Sequence, residues 1–158
     1  MFHVGDIVIH PGHGLCRIAA IQNIQSDPLY VLKLKGKSVP GNVKILVHDK
    51  DVKSIGVRYP TTPGEIDEMM KILQEDSNDI TDDSVKGYPL TKKMVQSGDL
   101  RKTAEAWRDL RRHRNSSSSL TKKSLLEFAD SMIVEEIAFV RKISKKKARK
   151  LIEDALAG

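Results

Sequence analysis

Two histidines and a cysteine at three-residue intervals, His10-x-x-His13-x-x-Cys16, come nearest to a reactive centre in type and spacing. Imidazole nitrogens and a thiolate are zinc ligands, and a closed zinc site takes four of them in a tetrahedron. Here the spacing crosses one extended segment, the breaker-rich turn Pro11-Gly12-His13-Gly14 and a second extended segment. A fourth ligand would have to be His3 or His48, and local spacing specifies neither. The same residues suit a tight turn and a small core position without any ion, so no metal and no cofactor is expected. The paired acids Asp82-Asp83 and Glu135-Glu136 lack a companion base in the sequence and read as solvated or helix-face charge rather than a general acid–base pair. Neither a Gly-x-Ser-x-Gly elbow, a Gly-x-Gly-x-x-Gly turn nor a phosphate-cradling glycine loop ending in Lys-Ser/Thr is present. The chain is expected not to be an enzyme.

The segments that carry these residues are short and β-like up to about Tyr59. Asp6–His10 and Leu15–Ile21 flank the Pro-Gly turn; in Leu29–Leu34 the residues Tyr30, Leu32 and Leu34 share a face opposite Val31 and Lys33. After the turn Gly36–Asn42, Val43, Ile45 and Val47 alternate with Lys44, Leu46 and His48, and Ile55–Arg58 reads as a last strand. Five short strands in under sixty residues predict a small antiparallel barrel.

Beyond Tyr59 the apolar period becomes helical. Thr62-Pro63-Gly64-Glu65 is a capping box with proline at the first helical position, followed by the stripe Ile66, Met69, Met70 and Leu73. The acidic stretch Glu75–Ser84 reads as an exposed loop and Leu90–Gln96 as a short helix. Asp99 is a natural N-cap for a helix whose stripe is Leu100, Thr103, Trp107 and Leu110. Ser116–Ser119 is a connection. A long helix follows Thr121 with Leu125, Phe128, Ala129, Met132, Ile133, Ile137 and Val140 on one side, and Ser144 caps a last helix burying Ala148, Leu151, Ile152, Ala155 and Leu156. The expected class is α+β, with a β module at 1–60 and a helical bundle at 61–158.

Charge follows the same division. The 158 residues sum to a net +6. Met1–Pro60 has eight basic and four acidic residues, Thr61–Leu100 has four and nine, and Arg101–Gly158 has fifteen and eight. Two basic regions separated by an acidic one are compatible with phosphate neutralisation and equally with a solvated lysine surface. A lone cysteine, Cys16, fits a reducing compartment, no apolar run approaches the roughly 20 residues of a membrane span, and the N-terminus has no secretory pattern. A cytoplasmic protein without membrane contact is expected.

Phe2-x-Val4-Gly5-Asp6-x-Val8-x-x-Pro11-x-His13-Gly14, followed by Ile18 and Ile21, resembles the start of the CarD/CdnL family of bacterial RNA polymerase-binding proteins, a module shared with the transcription-repair coupling factor. Tyr30-Val31-Leu32-Lys33, Ile45-Leu46-Val47 and Gly56-Val57-Arg58 extend the match. Lys86-x-Tyr88, Ser97-Gly98-Asp99 and Ala104-Glu105-x-x-Arg108-Asp109-Leu110 resemble the same family's C-terminal domain, in the right order.

The resemblance implies a Tudor-like (SH3-like) barrel that docks on the polymerase β subunit, partly by strand pairing at a sheet edge. It implies also a helical domain that touches promoter DNA independently of sequence and stabilises the open complex. An exposed edge offers unpaired backbone groups to a partner strand. Lys33, Lys35, Lys37 and Lys44 surround that edge, which alone reads as lysine protection against unwanted pairing; with the family resemblance, docking is favoured, and since Lys44 and Leu46 lie on the strand that faces polymerase in the family, Lys44, Leu46, Lys33 and Lys35 are the expected polymerase-binding residues. Lys86, with Lys92 and Lys93, is expected at phosphate. The family's minor-groove tryptophan position falls, by spacing to Tyr88, on Ser84, and Trp107 sits on an apolar helical stripe as a core residue. Lys145-Lys146-Lys147 with Arg149 and Lys150 reads as a phosphate patch or as a solvated helix face. A monomer is expected, associated with the nucleoid through polymerase. The reading from another class is a protein-interaction adaptor whose helical domain binds protein instead of DNA.

Overall fold

The alternating apolar residues of the first sixty positions form four antiparallel strands, β1 (Ile7–His10), β2 (Gly14–Ile24), β3 (Asp27–Leu34) and β4 (Lys44–His48), paired in the order β1-β2-β3-β4. The structure, a computed structural model, describes residues 1–35, 43–75, 92–94, 97, 99–112 and 120–157. The chain divides into two units, Met1–Pro60 and Thr61–Gly158.

Period-2 alternation sends Val8, Cys16, Ile18, Tyr30, Leu32 and Val47 to one face, where Phe2 and Val57 complete a core. Ile18 and Ile21 both pack toward it although three residues apart. A register shift between Ile18 and Ala20 makes this possible, one extra residue restoring the face. The β2–β3 turn is Gln25-Ser26, both with positive φ (50° and 69°), and Ile24 pairs with Asp27 across it. The sequence pattern alone ends this hairpin early, at Ile21 and Leu29, because Gln-Ser is not one of the glycine or asparagine pairs that usually take such a turn. Phe2 lies edge-on to Tyr30 and Tyr59, at 5.3 and 5.0 Å between ring centroids. Its N–H donates to the Tyr30 hydroxyl, which donates to Asp49 at 2.6 Å. Burial, then the Asp49 hydrogen bond, pushes the Tyr30 phenol above its ordinary pKa.

The expected fifth strand, Ile55–Arg58, is not one. A 3₁₀ turn (Asp49–Asp51) leads into a one-turn helix, α1 (Val52–Ile55), stopped by Gly56 at φ 93°. Only Arg58 then bridges back, exchanging two backbone hydrogen bonds with Ile9. A glycine free to take the left-handed conformation makes a better helix stop than a strand residue. The described pairings give a four-stranded meander and include no closing pair.

The second unit holds α2 (Pro63–Gln74), α3 (Leu100–Arg112), α4 (Leu120–Arg141) and α5 (Lys145–Ala157). The foreseen caps form: Thr62 and Glu65 make both halves of a capping box, the Asp99 carboxylate accepts from the N–H of Lys102, and the Ser144 hydroxyl accepts from that of Lys147. At the end of α4, Lys142 takes a left-handed conformation (φ 54°). The N–H of Ile143 then reaches the carbonyl of Ala138, a six-residue C-terminal closure.

Helix α2 packs on α3 and α5, and α4 packs on the same two, around Ile66, Met69, Leu73, Trp107, Leu125, Ile133, Ile137 and Ile152. Trp107 is fully buried, as expected. Leu151 departs from its expected place: it is 45% exposed, because Ala148, Ile152 and Ala155 define the inward stripe and Leu151 lies off it. Of Leu90–Gln96 the described residues 92–94 are helical. The acidic stretch 76–84 and the serine run 116–119 lie outside the described residues.

Candidate functional site

In the strand register, positions 17, 33 and 44 fall in one row: Arg17 opposes Lys33, which opposes Lys44. They lie on the face away from the core, since their strand neighbours Cys16, Ile18 and Leu32 belong to it, and all three are exposed. Among the described residues none has an acid within ion-pair distance. Like charges directly opposed across strands destabilise a sheet, so pairing energy does not account for this row, although a lysine on the edge strand also guards against unwanted pairing. The next row is Ala20, Val31 and Leu46. Val31 is buried, whereas Leu46 is 59% exposed beside it. β4 occupies one edge of the four-strand order and, among the described residues, pairs only with β3.

Lys44, Leu46 and Lys33 are thus brought together on one surface, with β4 supplying an edge. Lys35, just past β3, is exposed and fixed by its N–H to the Leu15 carbonyl at 3.0 Å. Arg17 escapes a reading of the sequence, because only the long-range register of β2 against β3 places it in the row. A run of three cations at positions 17, 33 and 44 has no local signature. At the end of β4 the Asp27 carboxylate lies 2.9 Å from His48 Nδ1 and forms an ion pair with Lys50 Nζ at 3.6 Å.

The His10/His13/Cys16 group divides. Cys16 is buried in the sheet core with its Sγ 3.5 Å from the Gly14 carbonyl. His10 and His13 stay in the turn with ring centroids 4.8 Å apart. The Gly12 N–H donates to His10 Nδ1 at 3.0 Å, which consumes the lone pair a metal would use. Burial, then the charge of His13, pulls the His10 imidazole below its usual pKa. Among the described residues, no three His, Cys, Asp or Glu side chains gather closely enough to hold an ion.

In the helical unit Arg108 is 1% exposed. Its Nε donates to Asp109 at 2.8 Å and a terminal nitrogen donates to the Ile72 carbonyl at 3.0 Å, with Glu75 3.6 Å away. The Arg108-Asp109 pair therefore ties α3 to the last turn of α2, a structural duty that explains why an ionic dipeptide interrupts an apolar stripe. Of the expected DNA-facing residues, Lys92 and Lys93 are exposed on the short helical segment whose Met94 packs on the helical core. Ser84 and Lys86 lie outside the described residues. No described helix is long and apolar enough to cross a membrane.

Residues 68–153 match the family model of the CarD C-terminal domain, more than half of the chain. The chain belongs to the CarD family. Residues 2–48 match the CarD-like/TRCF RID domain, so the sheet unit of this CarD protein corresponds to the module expected from Phe2–Ile21. A similar protein is YdeB of Bacillus subtilis (strain 168), whose given name marks it as a candidate transcription factor. It is 22% identical over 154 residues, spanning 94% of this chain and 98% of that protein. The two CarD matches fall in the order of the two units, β first and helical second.

Proposed function

We propose that this CarD-like factor docks on the β subunit of bacterial RNA polymerase through its N-terminal unit, a Tudor-like barrel. Its helical unit contacts promoter DNA independently of sequence, and together they stabilise the open complex. The protein acts in the cytoplasm as a monomer and catalyses no reaction. The observation that carries this reading is the exposed Leu46 on an edge strand beside the cation row Arg17–Lys33–Lys44. An apolar residue on an edge strand, beside cations with no acid within ion-pair distance among the described residues, suits a partner strand with acidic side chains: backbone pairing supplies affinity, and side chains supply register.

Lys86, Lys92 and Lys93 meet phosphate in this reading. Ser84, standing where the family resemblance expects a wedge tryptophan, supplies little apolar area to prop an opened base step. DNA contact then runs through charge, and open-complex stabilisation falls steeply with added salt.

The test is capture of purified polymerase by the full chain and by its Lys44→Glu/Leu46→Glu variant, with circular dichroism to verify folding. Both side chains lie off the core face, so the variant is expected to fold and to lose capture, and cross-linking of the parent chain is expected to label the β subunit. Undiminished capture by the folded variant removes β4 from the interface.

A further inference from the structure

Helix α5 is charged against its own dipole. An N-terminus favours acids and a C-terminus favours bases, yet its first six residues include Lys145, Lys146, Lys147, Arg149 and Lys150, its acids Glu153 and Asp154 come late, and its last turn has no base. Neighbouring carboxylates relieve only the arginines. Arg149 pairs with Asp130 at 2.6 Å, Arg141 pairs with Asp67, and Arg111 reaches both Asp130 and Glu153. Lys145, Lys146, Lys147 and Lys150, together with Lys142 in the turn before α5, are exposed and have no acid within ion-pair distance among the described residues. Nothing in the described fold offsets this arrangement.

We infer that the exposed face formed by Lys142, Lys145, Lys146, Lys147 and Lys150 holds the phosphate backbone of duplex DNA. Charge density selects this occupant. Residues 145 to 150 rise by about 7.5 Å along a helix axis, and duplex DNA presents one phosphate charge per ~1.7 Å of its own axis, about four over that length. That density counts both strands, about two phosphates on each, so four ammonium groups match the duplex in charge per length. The cations are lysines, strongly hydrated point charges suited to sequence-independent phosphate contact, and the two nearby arginines, which could fork onto base edges, are already held by aspartates. One exposed apolar residue, Leu151, borders the face. The sheet surface differs, with the exposed apolar Leu46 on the edge strand beside its cation row. The inference rests on the reading that the helical unit meets DNA, and it adds residues to that reading.

The test uses the full chain and a labelled duplex of arbitrary sequence, with affinity followed from about 50 to about 200 mM salt. Replacing Lys145, Lys146, Lys147 and Lys150 by glutamine is expected to weaken binding by about tenfold or more at intermediate salt. It should also flatten the salt slope by roughly 2–4, since each neutralised phosphate adds ~0.9 to that slope. Arginine at the same four positions is expected to keep both, and thermal stability should not fall in either variant, since the charges oppose the dipole. A glutamine variant that binds like the parent overturns this inference alone. A parent chain that binds no duplex at low salt overturns it together with the DNA half of the proposed function. A glutamine variant that keeps DNA but loses polymerase capture assigns the face to an acidic protein and overturns it as well.

Discussion

In the sheet unit Arg17, Lys33 and Lys44 stand side by side across three strands with Leu46 in the next row. In the helical unit Lys145, Lys146, Lys147 and Lys150 follow one another along a single helix, with Leu151 only at the border. The first arrangement needs tertiary structure to exist: the three cations are distant in sequence and become neighbours through register. The second is written contiguously and needs only a helix. Specific protein interfaces use an apolar centre with a polar rim, and polyphosphate contact uses charge density with little apolar area. On the proposed reading, two surfaces of the same sign go to different partners, the one with an exposed apolar residue beside its charges to protein and the one made of charge alone to DNA.

The division extends inward, and the largest expected effect tests it there. The core of Phe2, Val8, Ile18, Tyr30 and Leu32 shares no member with the core of Ile66, Trp107 and Ile133. Trp107→Ala should therefore cost the helical unit about 3–5 kcal/mol, and hydrogen exchange should show helix amides losing protection while those of β2 and β3 keep theirs. Arg108→Ala should cost a similar amount, about 3–5 kcal/mol, by leaving Asp109 buried without its partner. Equal loss of protection in β2 and β3 would mean that the two units unfold as one.

Next in size is the functional separation. Lys44→Glu/Leu46→Glu should weaken polymerase capture by about tenfold to a hundredfold, equivalent to about 1.4–2.8 kcal/mol, and leave duplex affinity unchanged. The glutamine replacements in α5 should do the reverse. A variant set that moves both affinities together would erase the distinction between the surfaces.

Much of this was legible because it is local. The capping box at Thr62, the caps at Asp99 and Ser144, the Tyr30/Leu32 face and the burial of Trp107 all follow from spacings of two to four residues. The family was legible from Val4-Gly5-Asp6, Pro11 and His13-Gly14 in order. What stayed hidden is non-local or turns on one conformation. Arg17 joins the site only through its pairing with Lys33; Arg108 shows its anchoring role only once the carbonyl of Ile72 arrives from another helix; Ile55–Arg58 looked extended, although Gly56 in a left-handed conformation ends a helix there.

The Gln25-Ser26 turn, hidden for the same reason, gives the third effect. Each left-handed L-residue costs roughly 1 kcal/mol or more, and asparagine and glycine bear this best. Gln25→Asn/Ser26→Gly should stabilise the sheet unit by about 1 kcal/mol without altering register. A rise in its denaturant midpoint at constant m-value checks this. The helical unit should not respond.

The smallest effect is a pH dependence confined to the sheet unit, which holds four of the five histidines. His10 sits below its usual pKa of 6.5, first because it is half-buried and second because His13 repels its charge. In the unfolded chain it takes up a proton near pH 6.5, while in the folded chain it stays neutral to lower pH. Between those two values the unfolded state binds more protons, so stability is full above about pH 6.5, declines as pH falls through the window and levels off once folded His10 is protonated too. Protonation of Nδ1 also abolishes its acceptance of the Gly12 N–H. His10→Asn places an amide oxygen near the position of Nδ1, keeping the acceptor and removing the titration. Sheet-unit stability of the parent chain should therefore be lower at pH 5 than at pH 7.5, and the variant should lose most of that difference. An unaltered difference in His10→Asn would show that the pH dependence does not come from His10.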